Sequence, residues 1–136
     1  MAMRTSASAI RLGALYAGAV FLAGFALGAL RTLVIAPRAG DLIAVLIELP
    51  VILGVSWWLF GWLARGRAAL TLPARGQTGL VAFLVLIALE MVLSAVIADG
   101  GVRGFVSNWL TLPGAIGLAG QLAFALIPLV HPAARN

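Results

Sequence analysis

The chain has no cysteine, no lysine and a single histidine, and only 10% of its 136 residues are charged. The absence of cysteine excludes disulfides, thiolate nucleophiles and Cys-based metal or redox sites. A metal site or a Ser-His-Asp arrangement would have to be built around His131, which precedes Pro132 near the C-terminus. We therefore predict a protein that is not an enzyme, without catalytic residues, a bound metal or a cofactor.

Acidic residues are also few. The chain has four acidic residues and nine arginines, which gives a formal net charge of +5. The arginines are scattered singly at the ends of hydrophobic runs, whereas a nucleic-acid surface needs a basic stripe or block. We predict no nucleic-acid partner.

The chain is instead rich in apolar residues, which make up 63% of it and give a mean hydropathy of +1.14. Apolar stretches recur at residues 12–36, 41–63, 79–98 and 113–130. Each is close to the ~20 residues that cross the ~30 Å hydrocarbon core of a bilayer as a helix. The sequence predicts an all-α polytopic membrane protein, with one domain over residues 1–136 and four transmembrane helices in an up-down-up-down bundle.

The segments between the spans carry turn signals. Residues 36–40 read as a hairpin turn, because Pro37 disfavours helix at Ala36 and Gly40 frees the backbone for the reversal. Residues 64–78, which include Pro73, are assigned to the second connection. Residues 99–112 mix apolar and polar side chains, which suits a short segment in the membrane interface.

The arginines predict the orientation. One side of the predicted membrane holds six of them and the other holds three, so the positive-inside rule places both termini in the cytoplasm. The six are Arg4, Arg11, Arg65, Arg67, Arg75 and Arg135, and the three are Arg31, Arg38 and Arg103. Tyr16 and the tryptophans of the second span are assigned to the interfaces or to lipid contacts.

One polar side chain lies inside each of the four apolar stretches: Arg31, Glu48, Glu90 and Gln121. At ~1.5 Å per helical residue, their distances from the turns put all four ~8 to ~12 Å below the outer helix ends. Buried charges are expensive in hydrocarbon, so such residues have partners and often a task. We predict a single intramembrane polar layer in the outer half of the bundle.

One guanidinium cannot neutralise two carboxylates. We predict that Arg31 pairs with Glu48 across the first hairpin, while Glu90 stays protonated or holds a proton, a cation or a basic partner. The alternative is that the polar groups only tie the helices together.

Small residues and prolines predict where the helices pack or bend. Gly24 and Gly28 lie on the face of Arg31 with the spacing that permits close helix approach, and Gly117 shares a stripe with Gln121. Pro50 releases the Leu46 carbonyl beside Glu48, and Pro128 releases that of Phe124. In transporters such released carbonyls can face a substrate or an ion.

Three short segments, residues 24–31, 34–38 and 47–50, resemble a group of small bacterial four-helix membrane proteins of uncharacterised activity. The shared pattern is a Gly-rich first helix that ends in Arg31, a Pro-containing turn, and Glu48 two residues before Pro50. The resemblance implies a bacterial inner-membrane protein and carries over no activity.

From these features we expect a non-enzymatic accessory or partner-binding component of the bacterial inner membrane. Its expected partners are the lipid bilayer and either another membrane protein or further copies of itself. The alternative is a small proton-linked transporter or channel that uses Glu90 and Glu48.

Overall fold

The computed structural model describes residues 2–65, 69–97 and 100–132, with side chains from residue 7 onward. Within this part of the chain all regular structure is helical. The elements are α1 (Ala2–Leu30), a π-helical turn (Arg31–Ile35), α2 (Ala36–Ala39), α3 (Asp41–Ala64), α4 (Leu72–Ile97), α5 (Gly101–Asn108) and α6 (Leu112–Val130). The predictions that concern the Arg4 side chain, Arg67, Ala98, Asp99 and Arg135 lie outside the described residues.

Four helical segments of the described chain are long and apolar enough to cross a membrane. They are Ala7–Ala39, Asp41–Ala64, Leu72–Ile97 and Leu112–Val130. The prediction of an all-helical chain with four candidate spans is confirmed.

The first reversal lies later in the chain than the predicted turn. Ala36 is helical, with φ −62° and ψ −41°, and its N–H donates to the Arg31 carbonyl five residues back. After this π turn, α2 begins as a new helix with Pro37 in its first turn. A residue in that position has no intrahelical partner for its N–H, so the proline loses no hydrogen bond. The prediction that Pro37 ends the helix at Ala36 is therefore wrong, and the chain reverses at Gly40, whose φ is +88°.

The third long helix begins seven residues before the predicted position. Pro73 lies in the first turn of α4, where a missing N–H is tolerated, and the Thr71 hydroxyl accepts the Ala74 N–H at 3.3 Å. The same Thr-Leu-Pro signal begins α6, where the Thr111 hydroxyl accepts the Gly114 N–H at 3.1 Å. Pro73 is thus a helix-start residue and not part of a connection.

The four long helices form a ring in which α1 and α6 each pack against both α3 and α4. The buried core fills the half of the bundle near the start of α1 and the end of α6. Its members are Leu12, Tyr16, Ala17, Val20, Phe60, Ala64, Ala82, Leu86, Phe124 and Ile127. The other half of the bundle contains the predicted polar residues.

Two glycines allow close backbone contacts near the start of α4. A methyl group added to Gly13 of α1 would lie 2.6 Å from the Thr78 carbonyl oxygen. A methyl group on Gly79 would collide with the backbone of Ala125 in α6. These two glycines let the backbones of α1 and α6 lie directly against α4.

The glycines that the sequence singled out do not have this role. An added methyl group would meet only Ile52 Cδ1 at 3.9 Å beside Gly24, only Arg31 Nη2 at 4.0 Å beside Gly28, and no atom within 4 Å beside Gly117. The prediction of close packing at Gly24, Gly28 and Gly117 is wrong. A chain with 16 glycines contains such spacings by chance, and the contacts between helices depend on which helix faces point into the ring.

Candidate functional site

The first polar pair joins α1 to α3 through Arg31 and Glu48. Arg31 Nη1 lies 3.2 Å from Glu48 Oε2, with 38% of the Arg31 side chain and 17% of the Glu48 side chain exposed. Glu48 Oε2 is itself buried and makes no aligned hydrogen bond, so the contact is a charge pair without good donor geometry. Arg31 opens the π turn, an irregularity that is frequent at functional sites.

The second polar pair joins α4 to α6. The Gln121 amide Nε2 donates a hydrogen bond to Glu90 Oε2. The amide oxygen of Gln121 is buried and has no hydrogen-bond partner among the described residues. In that part of the chain Glu90 therefore has an amide, and not a guanidinium, as its direct partner.

The two pairs belong to one electrostatic group. Glu90 lies within reach of the charges of both Glu48 and Arg31. Between the pairs, the side chain of Leu49 in α3 lies over Gly120 of α6 and brings these two helices together. Each of the four candidate spans contributes one member of this group, and the group has one surplus negative charge when both carboxylates are ionised.

Pro50 does not open the backbone toward this group. Residues 48 and 50 are ~200° apart around a helix, and the side chains of Leu46 and Pro50 are both exposed. The carbonyl that Pro50 frees is therefore on the outer side of α3. The interpretation of this carbonyl as a ligand group for the polar layer is not supported.

The carbonyl that Pro128 frees has a partner inside the protein. The Tyr16 hydroxyl donates to the Phe124 carbonyl at 2.9 Å. The Tyr16 ring stacks on Phe124 at a centroid distance of 4.3 Å and meets the edge of Phe60 at 5.2 Å. Tyr16 is fully buried, so its assignment to the interface or to lipid is wrong.

The sequence did hold a signal for this contact. A proline inside an apolar helix frees the carbonyl four residues earlier, and a buried carbonyl needs a donor. Tyr16 is the only tyrosine of the chain, and it carries a donor on an apolar body. The sequence does not show that α1 and α6 lie diagonally opposite each other in the four-helix ring, which is what brings Tyr16 to Phe124.

A second set of contacts that the sequence did not predict closes the opposite end of the bundle. Arg75 Nη1 donates to the Leu129 carbonyl at 2.7 Å, which satisfies one of the last carbonyls of α6. His131 packs against the Trp57 ring at 4.2 Å, and a methyl group on Gly61 would lie 2.9 Å from its ring. Burial lowers the pKa of His131 below its usual value, with a smaller opposing contribution from a backbone hydrogen bond at Trp57.

The described surface also has an open groove along α5. It is lined by Val102, Arg103, Val106, Ser107, Trp109 and Leu110. None of the four polar-layer residues lines it. The polar layer and the groove are therefore separate features.

The described residues do not bring three His, Asp or Glu side chains together as a metal site would require. Comparisons with protein-family models, with curated proteins and with solved structures find no match to this chain.

Proposed function

We propose that the chain is a multi-pass protein of a bacterial inner membrane, with four up-down-up-down spans and cytoplasmic termini. Large apolar side chains are exposed on every long helix, as lipid contact requires: Leu22, Trp58, Leu84 and Leu126 are 70%, 65%, 57% and 55% exposed. The arginine asymmetry supports the orientation.

Contacts between the helices support alternating directions. Gly13 near the start of α1 meets Thr78 near the start of α4, so these helices run the same way. Gly79 near the start of α4 meets Ala125 near the end of α6, so these two run in opposite ways. Both contacts support consecutive spans that alternate in direction, with the second and third lying diagonally in the ring.

Within that membrane, we propose a non-enzymatic accessory component that binds another membrane protein. The observation that carries this proposal is that the Arg31 side chain is both paired and partly exposed. The guanidinium is paired with Glu48 on one side, yet 38% of the Arg31 side chain is exposed at the bundle surface. A charged side chain that is partly exposed to hydrocarbon is expensive, so a partner helix that offers a carbonyl, hydroxyl or carboxylate acceptor stabilises the complex there.

The internal pairing of the layer supports the same proposal. Glu48 and Glu90 are each engaged by a side chain of a neighbouring helix. Small-molecule sites are concave and carry polar groups that converge on the ligand. Here the polar groups converge on each other, and the Arg31 side chain keeps the largest exposed fraction of the ion pair, 38% against 17% for Glu48.

Native purification in lipid nanodiscs, followed by mass spectrometry of the bound proteins, tests this function. We expect one membrane protein in stoichiometric amount, lost in Arg31→Gln and retained in Glu90→Gln. Arg38→Gln is the matched control, since Arg38 is exposed and its guanidinium donates to the Val34 carbonyl of its own helix at 3.1 Å. Equal recovery of the partner with wild type and Arg31→Gln would contradict the proposal.

A second candidate, a proton-linked transporter or channel, is favoured by one observation. The direct partner of Glu90 is an amide, and a second carboxylate, Glu48, acts on it from nearby. Protonation of Glu90 removes the repulsion between the carboxylates, and the charged form can hold a transported cation.

Reconstitution into liposomes separates this candidate from the first. Transport predicts a pH-dependent flux that Glu90→Gln abolishes without a change in helical content or thermal unfolding. The accessory function predicts no flux above that of empty liposomes, and a partner whose recovery does not depend on Glu90.

A further inference from the structure

The outward side of α5 carries a narrow apolar stripe with a cation at its edge. Val102, Val106 and Leu110 recur every four residues and are 43%, 40% and 91% exposed. Arg103 and Ser107 follow the first two of these at the same spacing, and both are exposed. One side of the helix therefore offers a strip of hydrocarbon contact beside a line of polar groups.

The groove along this stripe is held in shape by local contacts. The Phe105 ring meets Trp109 edge to face at a centroid distance of 5.4 Å, which positions the indole as one wall. The Ser107 hydroxyl donates to the Gly104 carbonyl at 3.1 Å. Among residues 7–65, 69–97 and 100–132, no carboxylate pairs with the Arg103 guanidinium.

The position of α5 matters as well. It packs on α4 and α6 at the end of the bundle where one long helix finishes and the next begins. In the proposed membrane this is the boundary between headgroups and acyl chains, where an amphipathic helix lies with its apolar side toward the chains. Tryptophan is a side chain that this layer favours, and an arginine there can reach lipid phosphates.

We propose that the α5 groove binds one anionic phospholipid, whose phosphate lies on Arg103 and whose acyl chain lies along Val102, Val106 and Leu110. Guanidinium and phosphate are complementary in charge and in hydrogen-bond geometry. The stripe spans ~12 Å along a helix that is ~10 Å wide, which suits part of an acyl chain. That is on the order of 100 Å², well below the ~800 Å² that each partner of a stable protein interface buries. This proposal depends on the proposed membrane placement.

Native mass spectrometry of the whole chain, released from nanodiscs of phosphatidylglycerol and phosphatidylcholine in equal amounts, tests it. We expect wild type to retain one phosphatidylglycerol in preference to phosphatidylcholine. Arg103→Gln should lower that retention about fivefold, as the loss of one headgroup contact predicts. Arg103→Lys, which keeps the charge, should retain most of it.

Arg38→Gln is the control, because it removes an exposed arginine at the same end of the bundle and should leave lipid retention unchanged. Equal retention of the two lipids by wild type, or retention that Arg103→Gln does not change, would overturn the lipid site and leave the membrane placement intact. A crosslink from α5 to a second copy or to another protein, with no lipid retained, would also overturn it. A chain that does not enter nanodiscs at all would overturn the placement itself, and the lipid site with it.

Discussion

The hydroxyl of Tyr16 in α1 donates to the carbonyl of Phe124 in α6, the carbonyl that Pro128 deprives of its helical N–H donor. The free carbonyl of α6 thus receives its hydrogen bond from a side chain of the diagonally opposite helix. In lipid no water can replace this donor, so the pair ties α1 and α6 through the core.

This contact gives a quantitative prediction. Tyr16→Phe keeps the ring stacking and removes only the donor, and we expect it to lower the free energy of unfolding by about 1 kcal/mol. Pro128→Ala restores an N–H for the Phe124 carbonyl, so Tyr16→Phe should cost less in that background. A double-mutant cycle by reversible unfolding in micelles measures this coupling. Additive effects would mean that Pro128 does not create the need for Tyr16.

Two glycine substitutions should differ sharply. Gly79→Ala drives a methyl group into the backbone of Ala125, and we expect it to destabilise the protein by about 1–3 kcal/mol. Gly117→Ala meets open space and gains helix propensity, so it should be neutral or stabilising by less than about 1 kcal/mol. Thermal unfolding of both variants in the same detergent makes the comparison. Equal losses would contradict the helix contacts described for α4 and α6.

His131 should make stability depend on pH. Burial lowers its folded-state pKa, so the unfolded chain binds a proton more readily than the folded chain. Its contribution to stability is then fully present above the unfolded value of about 6.5 and is lost as the pH falls through the folded-state pKa.

The measurement is the difference in unfolding free energy between wild type and His131→Gln from pH 8 to pH 5. This difference isolates His131 from the two glutamates, which titrate in both proteins. We expect wild type to lose more stability than the variant on acidification. A difference that does not change with pH, or that grows in favour of wild type at low pH, would contradict the buried position of the ring.

The absence of cysteine makes the topology directly testable. Single-cysteine variants Arg38→Cys and Arg65→Cys should react with a membrane-impermeant thiol reagent from opposite sides of the membrane, Arg38→Cys from outside. The native chain serves as the unlabelled control, since it has no thiol. Labelling of both positions from one side would overturn the proposed alternation of the spans.

The sequence predicted the number of long helices because each apolar stretch has the length of a span, and it anticipated the contact of Arg31 with Glu48 because a short turn joins their helices. The sequence also predicted the same depth for Glu90 and Gln121, which form a hydrogen bond in the structure. These predictions depend on distances along the chain, which a helix converts directly into height.

The predictions that failed depend on helix rotation and neighbour choice. The roles of Tyr16, Gly24 and Pro50 depend on whether each residue faces the core or the outside of the bundle, and nearly uniform hydrophobicity around the helices hides this from the sequence. The starts of α4 and α6 were recoverable, because Thr71 and Thr111 precede the same Leu-Pro pair.

The pairing of Arg31, at the start of the π turn, with Glu48 of α3 can be measured directly within the membrane. Solid-state NMR in lipid bilayers can measure the separation of ¹⁵N-labelled arginine guanidinium and ¹³C-labelled glutamate carboxyl groups, with Glu90→Gln leaving Glu48 as the only labelled glutamate. We predict dipolar contact at ion-pair distance, roughly 4 Å, that disappears in Arg31→Gln and persists in Arg38→Gln. A Glu48 carboxyl with no guanidinium near it in the folded, membrane-embedded protein would show that this ion pair does not form.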